Sequence, residues 1–467
     1  MSGKPGKTYE IDMCSGPILS KLLRFAVPLM CSSMLQLLFN AADIVVVGRF
    51  AGDNSLAAVG SNTSLIGLLT NLFLGLSIGA NILAARHYGA KEPEELSRTV
   101  HTAMLLSLLS GLFLTVLGIF GARRVLIWMQ CPANVLDLAA LYLRIYFGGM
   151  TATMLYNFGA ALLRAVGDTQ RPLYYLFGAG LVNVVLNLFF VIVCGLDVAG
   201  VALATVISQC ISAFLVVRCL MREPGAIRLE LRLLRIHPAK LRQILRVGLP
   251  AGFQGVLFAL SNVVIQSSVN SFGEIVMAGN SAANNIENFV YAAMNAFYQA
   301  NVSFTSQNMG AGNYRRIWQI LLRAELCVAA VGLALGGGAL LLGPRLLGIY
   351  SPSAAVVRAG MARMGIVACT HAVCGMMDVA VGTLRGIGYS VLPMVVTLVG
   401  ACGLRLVWVS TVFQLPAYHT VETVYWSYPV SWALTLTAHM ICILWAMRRL
   451  KGRLEPEMEP MKTLCAE

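Results

Sequence analysis

The stretch Pro28-Leu-Met-Cys-Ser-Ser-Met-Leu-Gln-Leu-Leu-Phe-Asn40-Ala-Ala-Asp43-Ile-Val-Val-Val-Gly48 decides how the rest of the chain is read, because it places a proline and a carboxylate inside one otherwise apolar run. The run is long enough to cross a bilayer, which takes about 20 apolar residues. Its nearest polar flank to Asp43 is Asn40, and four aliphatic residues follow the acid. A carboxylate at membrane depth is costly to hold, so function is the first expectation for it. Pro28 removes one helical hydrogen bond and offers a place for the helix to bend.

The chain around this stretch has a matching composition. Of its 467 residues 58% are hydrophobic and only 12% charged, with a mean hydropathy of +0.74. An ordinary soluble domain carries about 25% charged residues, so the expectation is an all-α, multi-pass protein of the cell membrane. The net charge of +13 falls in short connectors between apolar runs. It is read as a topology signal, with the lipid bilayer as partner and no nucleic acid. No cleavable signal peptide is expected, since a polar start leads into a hydrophobic run that is too long for one. The twelve cysteines mostly stand singly in apolar runs as small hydrophobes. Cys369-Thr-His371-Ala-Val-Cys374 comes nearest to a ligand cluster, but its two thiols point to different helical faces and no second cluster completes a tetrahedral site. No resident metal and no cofactor are expected.

Apolar runs of about bilayer length recur twelve times, at 22–47, 56–83, 100–121, 138–163, 173–194, 199–221, 245–271, 276–305, 318–343, 356–381, 391–415 and 424–447. With the N-terminus inside, 26 of the 34 lysines and arginines fall in inward segments, and an even helix count then puts both termini in the cytosol. The organisation expected is an N-terminal six-helix lobe (1–220), a cytoplasmic linker (221–243), a C-terminal six-helix lobe (244–449) and a cytoplasmic tail (450–467). The linker is the longest polar connector, and its alternation of Arg with Leu and Ile leaves a second role open, a short segment on the anionic inner leaflet.

The two halves repeat. Leu23-Arg24-Phe-Ala-Val-Pro28 matches Leu245-Arg246-Val-Gly-Leu-Pro250, Asn40 falls on Asn262, and Gly89-Ala90 falls on Gly310-Ala311. Leu163-Arg164-Ala-Val-Gly167 matches Leu384-Arg385-Gly-Ile-Gly388 at an offset of 221. Six spans separate the copies, so both keep the same orientation, as in a parallel repeat about an axis along the membrane normal with a cavity between the lobes.

Polar residues inside the runs mark candidate sites. In the first half these are Asp43, Tyr142, Asn157, Asn183, Asn187 and Thr205, with Asn183 and Asn187 one turn apart on one helical face. Together they suit a proton network or a hard cation such as Na⁺ at Asp43, and hydrogen-bonded packing between helices is the competing role. In the second half Glu287 stands among Asn284, Asn285 and Asn288. Asp378 is either a further buried acid or the partner of Arg385, and Arg405 needs a counter-charge that one of these acids would supply. Methionines and aromatic residues such as Met376, Phe253, Tyr291 and Tyr298 suit flat apolar ligands or simply fill the core. No phosphate-cradling loop, zinc-protease pattern or nucleophile elbow occurs, so neither an enzyme nor an ATP-driven pump is expected.

These residues fit one known family. Ala-Asp43-Ile-Val-Val-Val-Gly48, Leu163-Arg164-Ala-Val-Gly167-Asp168-Thr, Gly200-Val-Ala-Leu-Ala-Thr205, Gln307-Asn-Met-Gly310-Ala-Gly312 and Leu384-Arg385-Gly386, in this order and spacing, resemble the multidrug and toxic compound extrusion (MATE) transporters over essentially all twelve runs. The resemblance implies a secondary antiporter that exports organic cations or amphipathic compounds in exchange for H⁺ or Na⁺ by rocking two lobes, working as a monomer. It implies that Asp43 is the family's first-helix acid, Pro28 the bend, and Tyr142, Asn157, Asn183 and Thr205 the network around the acid. Related members often carry an Asp where this chain has Asn187, which leaves the coupling ion open. Asp378 resembles a C-lobe acid of some members, whose seventh-helix Glu has no match here beyond nearby Gln254. The alternative within the wider superfamily is a flippase for lipid-linked precursors or polysaccharides, for which a more cationic cavity is expected.

Overall fold

The computed structural model describes residues 9–129 and 131–464, and every long element in it is a helix. The helices of the first half are α1 (Ile18–Phe50), α2 (Asp53–Gly89), α3 (Pro93–Trp128), α4 (Ala133–Gly148), α5 (Met150–Ala165), α6 (Gln170–Leu188) and α7 (Asp197–Arg222). Those of the second are α8 (Pro238–Asn270), α9 (Glu274–Gly310), α10 (Tyr314–Leu341), the short α11 (Gly343–Tyr350), α12 (Ala354–Gly386), α13 (Val391–Thr397), α14 (Leu404–Ser410) and α15 (Val421–Leu464). Ten helical stretches are long and apolar enough to cross a membrane, and α4 with α5, bent by 45°, makes an eleventh. The twelfth span is α9, whose 37 residues carry too many amides, together with Glu287, to pass on composition. Chain ends 1–8 and 465–467, with Lys4 and Lys7 of the charge pattern, lie outside the described residues. The segment expected as a tail continues α15 as far as Leu464.

The sequence repeat is carried by the backbone. Helices α2 and α9 both have 37 residues and both follow a glycine with positive φ, Gly52 (84°) and Gly273 (93°). At those angles, with ψ near 180°, the chain is in a region that side chains with a Cβ essentially do not enter. The turns after α5 and α12 share two backbone bonds, one of them from the glycine, Gly167 N to Arg164 O and Gly388 N to Arg385 O. Asp168 N donates to Leu163 O at 3.0 Å and Tyr389 N to Leu384 O at 2.9 Å, each beside a left-handed glycine, Gly167 (98°) or Gly388 (108°). One difference has a local cause. The bend between α4 and α5 sits at Gly148-Gly149, whereas the matching Cys369-Thr370 lie inside the unbroken α12.

The chain divides into two compact units, Met1–Ser15 with Leu23–Val256, and Gly16–Leu22 with Leu257–Glu467. The division falls inside α8, because that helix opens by packing on the first unit. Gly75 and Gly79 of α2 face Gly252 and Gly248 of α8, and a Cβ on Gly252 would stand 2.4 Å from Leu72 O. Small residues four apart let two backbones approach this closely. The connector before α8 also docks on the first unit. Ile227 and Leu229 are buried, His101 Nε2 accepts from Glu230 N at 3.1 Å, and Lys240 pairs with Glu95. Leu231, Leu233 and the flanking arginines stay exposed. Asp168 of the Leu163–Thr169 motif accepts from Gln170 N and Arg171 N, each at 3.1 Å, and pairs with the Arg171 guanidinium, so its role there is to start α6.

Candidate functional site

The polar residues of the first half converge from three helices. Asp43 of α1 accepts from the amide of Asn187 on α6, and Asp43 Oδ2 lies 3.4 Å from Thr205 Oγ1 on α7. The second Asn187 proton serves Asn183 Oδ1 at 3.2 Å, and Asn183 Nδ2 donates to Thr205 Oγ1 at 3.4 Å. Thr205 Oγ1 is also 3.0 Å from Val201 O, so its one proton is shared between the backbone and the carboxylate. Val46 and Val47 of α1, Val191, and Val198 and Val201 of α7 pack with Tyr142 in one buried apolar cluster. Two residues after Asn187 the chain enters a π-helical turn, Phe189–Val193. Such turns interrupt regular helical bonding and occur often at functional sites.

Tyr142 is buried, stacked at 5.9 Å on Tyr146, and both rings lie within electrostatic range of Asp43. Tyr146, one turn along α4, was not singled out by sequence. Asn157 is not part of the cluster in this structure: its amide donates to Thr153 O of its own helix at 2.8 Å. Helix α1 is continuous through Pro28, whose carbonyl accepts from Ser32 Oγ at 2.9 Å. The fit to an ion can be judged from oxygens. Asp43 offers two, Thr205 one, and Asn187 Oδ1 is fully buried with no hydrogen-bond partner. A carboxylate with an unused amide oxygen beside it matches the donor set of a hard cation, and equally a carboxyl group that gains and loses a proton.

The second half is built differently. Glu287 of α9 is held by Arg363 of α12 through Nε at 3.1 Å and Nη2 at 2.7 Å, and Arg363 Nη1 donates to Asn280 Oδ1 at 2.8 Å. Glu287 is thus one partner of a buried ion pair, and Arg363, which sequence treated only as a charge outside the topology pattern, is the other. Asp378 Oδ2 accepts from Tyr291 Oη at 3.0 Å, while Arg385 Nη1 donates to Tyr298 Oη. Of the two readings of Asp378, a further buried acid or the partner of Arg385, the structure shows no ion pair with Arg385; each of the two instead bonds a tyrosine.

Arg405 departs further from expectation. It is 1% exposed, and among the described residues no carboxylate lies within ion-pair distance of it. Its Nε donates to Ser431 Oγ at 2.8 Å, and its guanidinium lies over the rings of Tyr428 (4.4 Å), Phe258 and Trp432 (both 5.4 Å). Cation–π contact returns about 0.5–2 kcal/mol per ring. Taking a charge out of water costs several kcal/mol, so the rings offset part of the cost. Cys369 is exposed and Cys374 buried on opposite faces of α12, and among the described residues no group of three or more His, Cys, Asp or Glu gathers.

Comparison with known proteins agrees with this architecture. The MatE family model matches residues 28–189 and 250–409. A probable multidrug resistance protein of Bacillus subtilis, YoeA, is 28% identical over 435 residues, covering 88% of this chain and 90% of that one. The FAD transporter of Shewanella oneidensis is 24% identical over 319 residues, 66% of this chain and 69% of that protein. A solved outward-facing multidrug resistance MATE family transporter of the MOP superfamily superposes with a TM-score of 0.88 at 21% identity, over 96% of this chain and all of that one.

Proposed function

Since the chain belongs to the MatE family of membrane transporters, we propose that it is a secondary efflux antiporter in which Asp43 exchanges a proton or Na⁺ while an organic cation or other amphipathic compound leaves the cell. The observation that carries this is the single carboxylate of α1, bonded to Asn187 and beside Thr205. Ionised, Asp43 accepts from the Asn187 amide. Neutralised by a proton, it has one bond fewer to accept and one to give, and the buried Asn187 Oδ1 is an acceptor for it once the amide turns over. A bound Na⁺ would draw on the same oxygens. Either event changes the bonding among α1, α6 and α7, and a change that favours one of two lobe arrangements is what exchange requires.

Relatives named for multidrug resistance and for FAD transport support a flat, amphipathic organic cargo. The lobes act as 1–220 and 244–449 joined by 221–243, in the cell membrane with both ends in the cytosol, and Pro28 lets α1 bend between states. Proteoliposomes holding the purified monomeric protein and a fluorescent organic cation, driven separately by Na⁺ and by H⁺ gradients, test the reading. Asp43→Asn is expected to fold and to lose gradient-driven export with either ion. Export retained in full by that variant would sink the role of Asp43, and acceleration by one gradient alone names the ion.

A further inference from the structure

The interior of the second unit holds buried hydrogen-bonding groups that meet no partner among the described residues. Arg405 Nη2, Trp432 Nε1, the Tyr425 hydroxyl and His371 Nδ1 all lack a partner, in side chains that are 1%, 3%, 0% and 8% exposed. They belong to one cluster drawn from α12, α14 and α15. The Arg405 guanidinium lies over Tyr428 and Trp432, the Trp432 ring is 5.3 Å from His371 and 5.6 Å from Tyr428, and Arg363 shares the Tyr428 ring at 5.3 Å and reaches over Tyr425 at 5.7 Å. Two guanidiniums therefore share one ring, and among the described residues Glu287, on Arg363, is the one carboxylate paired with either of them. Asp378 is engaged by Tyr291, which lies beyond His371 in the series Trp432, His371, Tyr291.

Shielding of a charge by rings accounts for the stacking but leaves the free N–H groups unexplained. Buried donors without an acceptor are rare in folded proteins. Two of them, Arg405 Nη2 and Trp432 Nε1, beside a hydroxyl and a ring nitrogen that can each donate, are complementary to oxygens that carry negative charge, and the fork of an arginine suits a carboxylate or phosphate in particular. The rings alongside suit a flat body. We propose that this cluster is a binding site for an aromatic oxyanion, with the charged oxygens on Arg405 Nη2 and Trp432 Nε1 and the aromatic body against Tyr428, Phe258 and His371. The site is built on helices other than α1, α6 and α7 and goes beyond the export reading, for which it would define the cargo as bearing an anionic end.

The test uses the full chain in nanodiscs of neutral lipid, titrated calorimetrically with 1-naphthoate and with its cationic counterpart 1-naphthylmethylammonium. Naphthoate is expected to bind at least about tenfold more tightly than the cation and to raise the unfolding temperature of the wild type. Arg405→Gln is expected to weaken naphthoate by about tenfold or more, Arg405→Lys by less, and Trp432→Phe, which keeps the ring and removes the donor, by about threefold to fivefold. Equal affinity for the two probes, no naphthoate binding up to millimolar concentration, or unchanged naphthoate affinity in Trp432→Phe would each overturn the proposal and leave water as the occupant. Trp432→Phe keeps the question decidable if Arg405→Gln does not fold. Binding needs no ion gradient, so a failure of coupling at Asp43 would show in transport while leaving these titrations intact.

Discussion

Tyr142 and Asn157 in the first half stand where Arg363 and Asp378 stand in the second, 221 residues on in both cases. The helices that carry them begin and end in register, at Ala133 and Ala165 against Ala354 and Gly386. The scaffold is thus repeated while the chemistry placed on it is not. One half holds a lone carboxylate among amides and a hydroxyl. The other holds a matched ion pair and an arginine caged by rings. Ile66 likewise occupies the place of Glu287, Ile265 that of Asp43, and Leu404 and Trp408 those of Asn183 and Asn187. The divergence teaches that a parallel repeat can supply two interiors of opposite charge without altering a turn, because glycine turns and helix lengths answer to the backbone and the interior positions do not.

The largest effect that would break this comparison is expected at the ion pair. Glu287→Gln leaves Arg363 buried without its charge partner, which costs about 3–5 kcal/mol. Importing the first half's residues, Glu287→Ile with Arg363→Tyr, removes both charges and is expected to recover most of that loss. Thermal unfolding of the three proteins in one detergent checks this. A single variant as stable as the wild type would mean that the pair is not what balances the second interior.

Legibility from sequence followed the same division. The twelve spans and the repeat could be read because hydropathy and glycine turns are local properties. Asp43, Asn183, Asn187 and Thr205 could be gathered into one pocket although 144 residues separate Asp43 from Asn187, because polar groups in aliphatic runs are few and seek one another. The pair of Glu287 and Arg363 could not. Arg363 lies five residues beyond Arg358 on a helix that the charge pattern reads as starting outside, and nothing local tells a buried guanidinium from a topology charge. Asn157 read as part of the network because spacing is silent on an amide that bonds its own Thr153 carbonyl. The π-helical turns escaped as well: one begins two residues after Asn187, and the other, Leu398–Gly403, ends two residues before Arg405. Glu325 of α10, whose carboxylate oxygens are both buried without partners, was not among the candidates read from sequence.

A smaller effect is expected where the halves differ in packing. Gly75, Gly79, Gly248 and Gly252 bring α2 against α8, and their repeat positions are Ala296, Ala300, Ala26 and Met30, all with a Cβ. Gly252→Ala puts a methyl against the Leu72 backbone, which cannot turn aside as a side chain can, and overpacking of this kind costs about 1–3 kcal/mol. Gly255→Ala on the same helix meets only the Asn71 side chain, at 3.7 Å or more, and is expected to be neutral or slightly stabilising. Equal unfolding temperatures for the two variants would show that the close approach is not needed.

The smallest effect sharpens the first interior. Thr205 contributes to Asp43 through a long bond of 3.4 Å whose proton is shared with Val201 O, so its share falls at the low end of the about 0.5–1.5 kcal/mol that a buried hydrogen bond is worth. Thr205→Val keeps the shape, removes the oxygen, and strands Asn183 Nδ2, which loses its acceptor. It is expected to raise the ion concentration for half-maximal export by about twofold to fivefold, while Thr205→Ser, which restores the hydroxyl, stays near the wild type. The repeat position is Trp426, an exposed side chain on α15, and Trp426→Phe is expected to leave the same measurement unchanged. If Thr205→Val and Trp426→Phe behaved alike, the hydroxyl would be helix glue, and the pocket would reduce to Asp43 and its two asparagines.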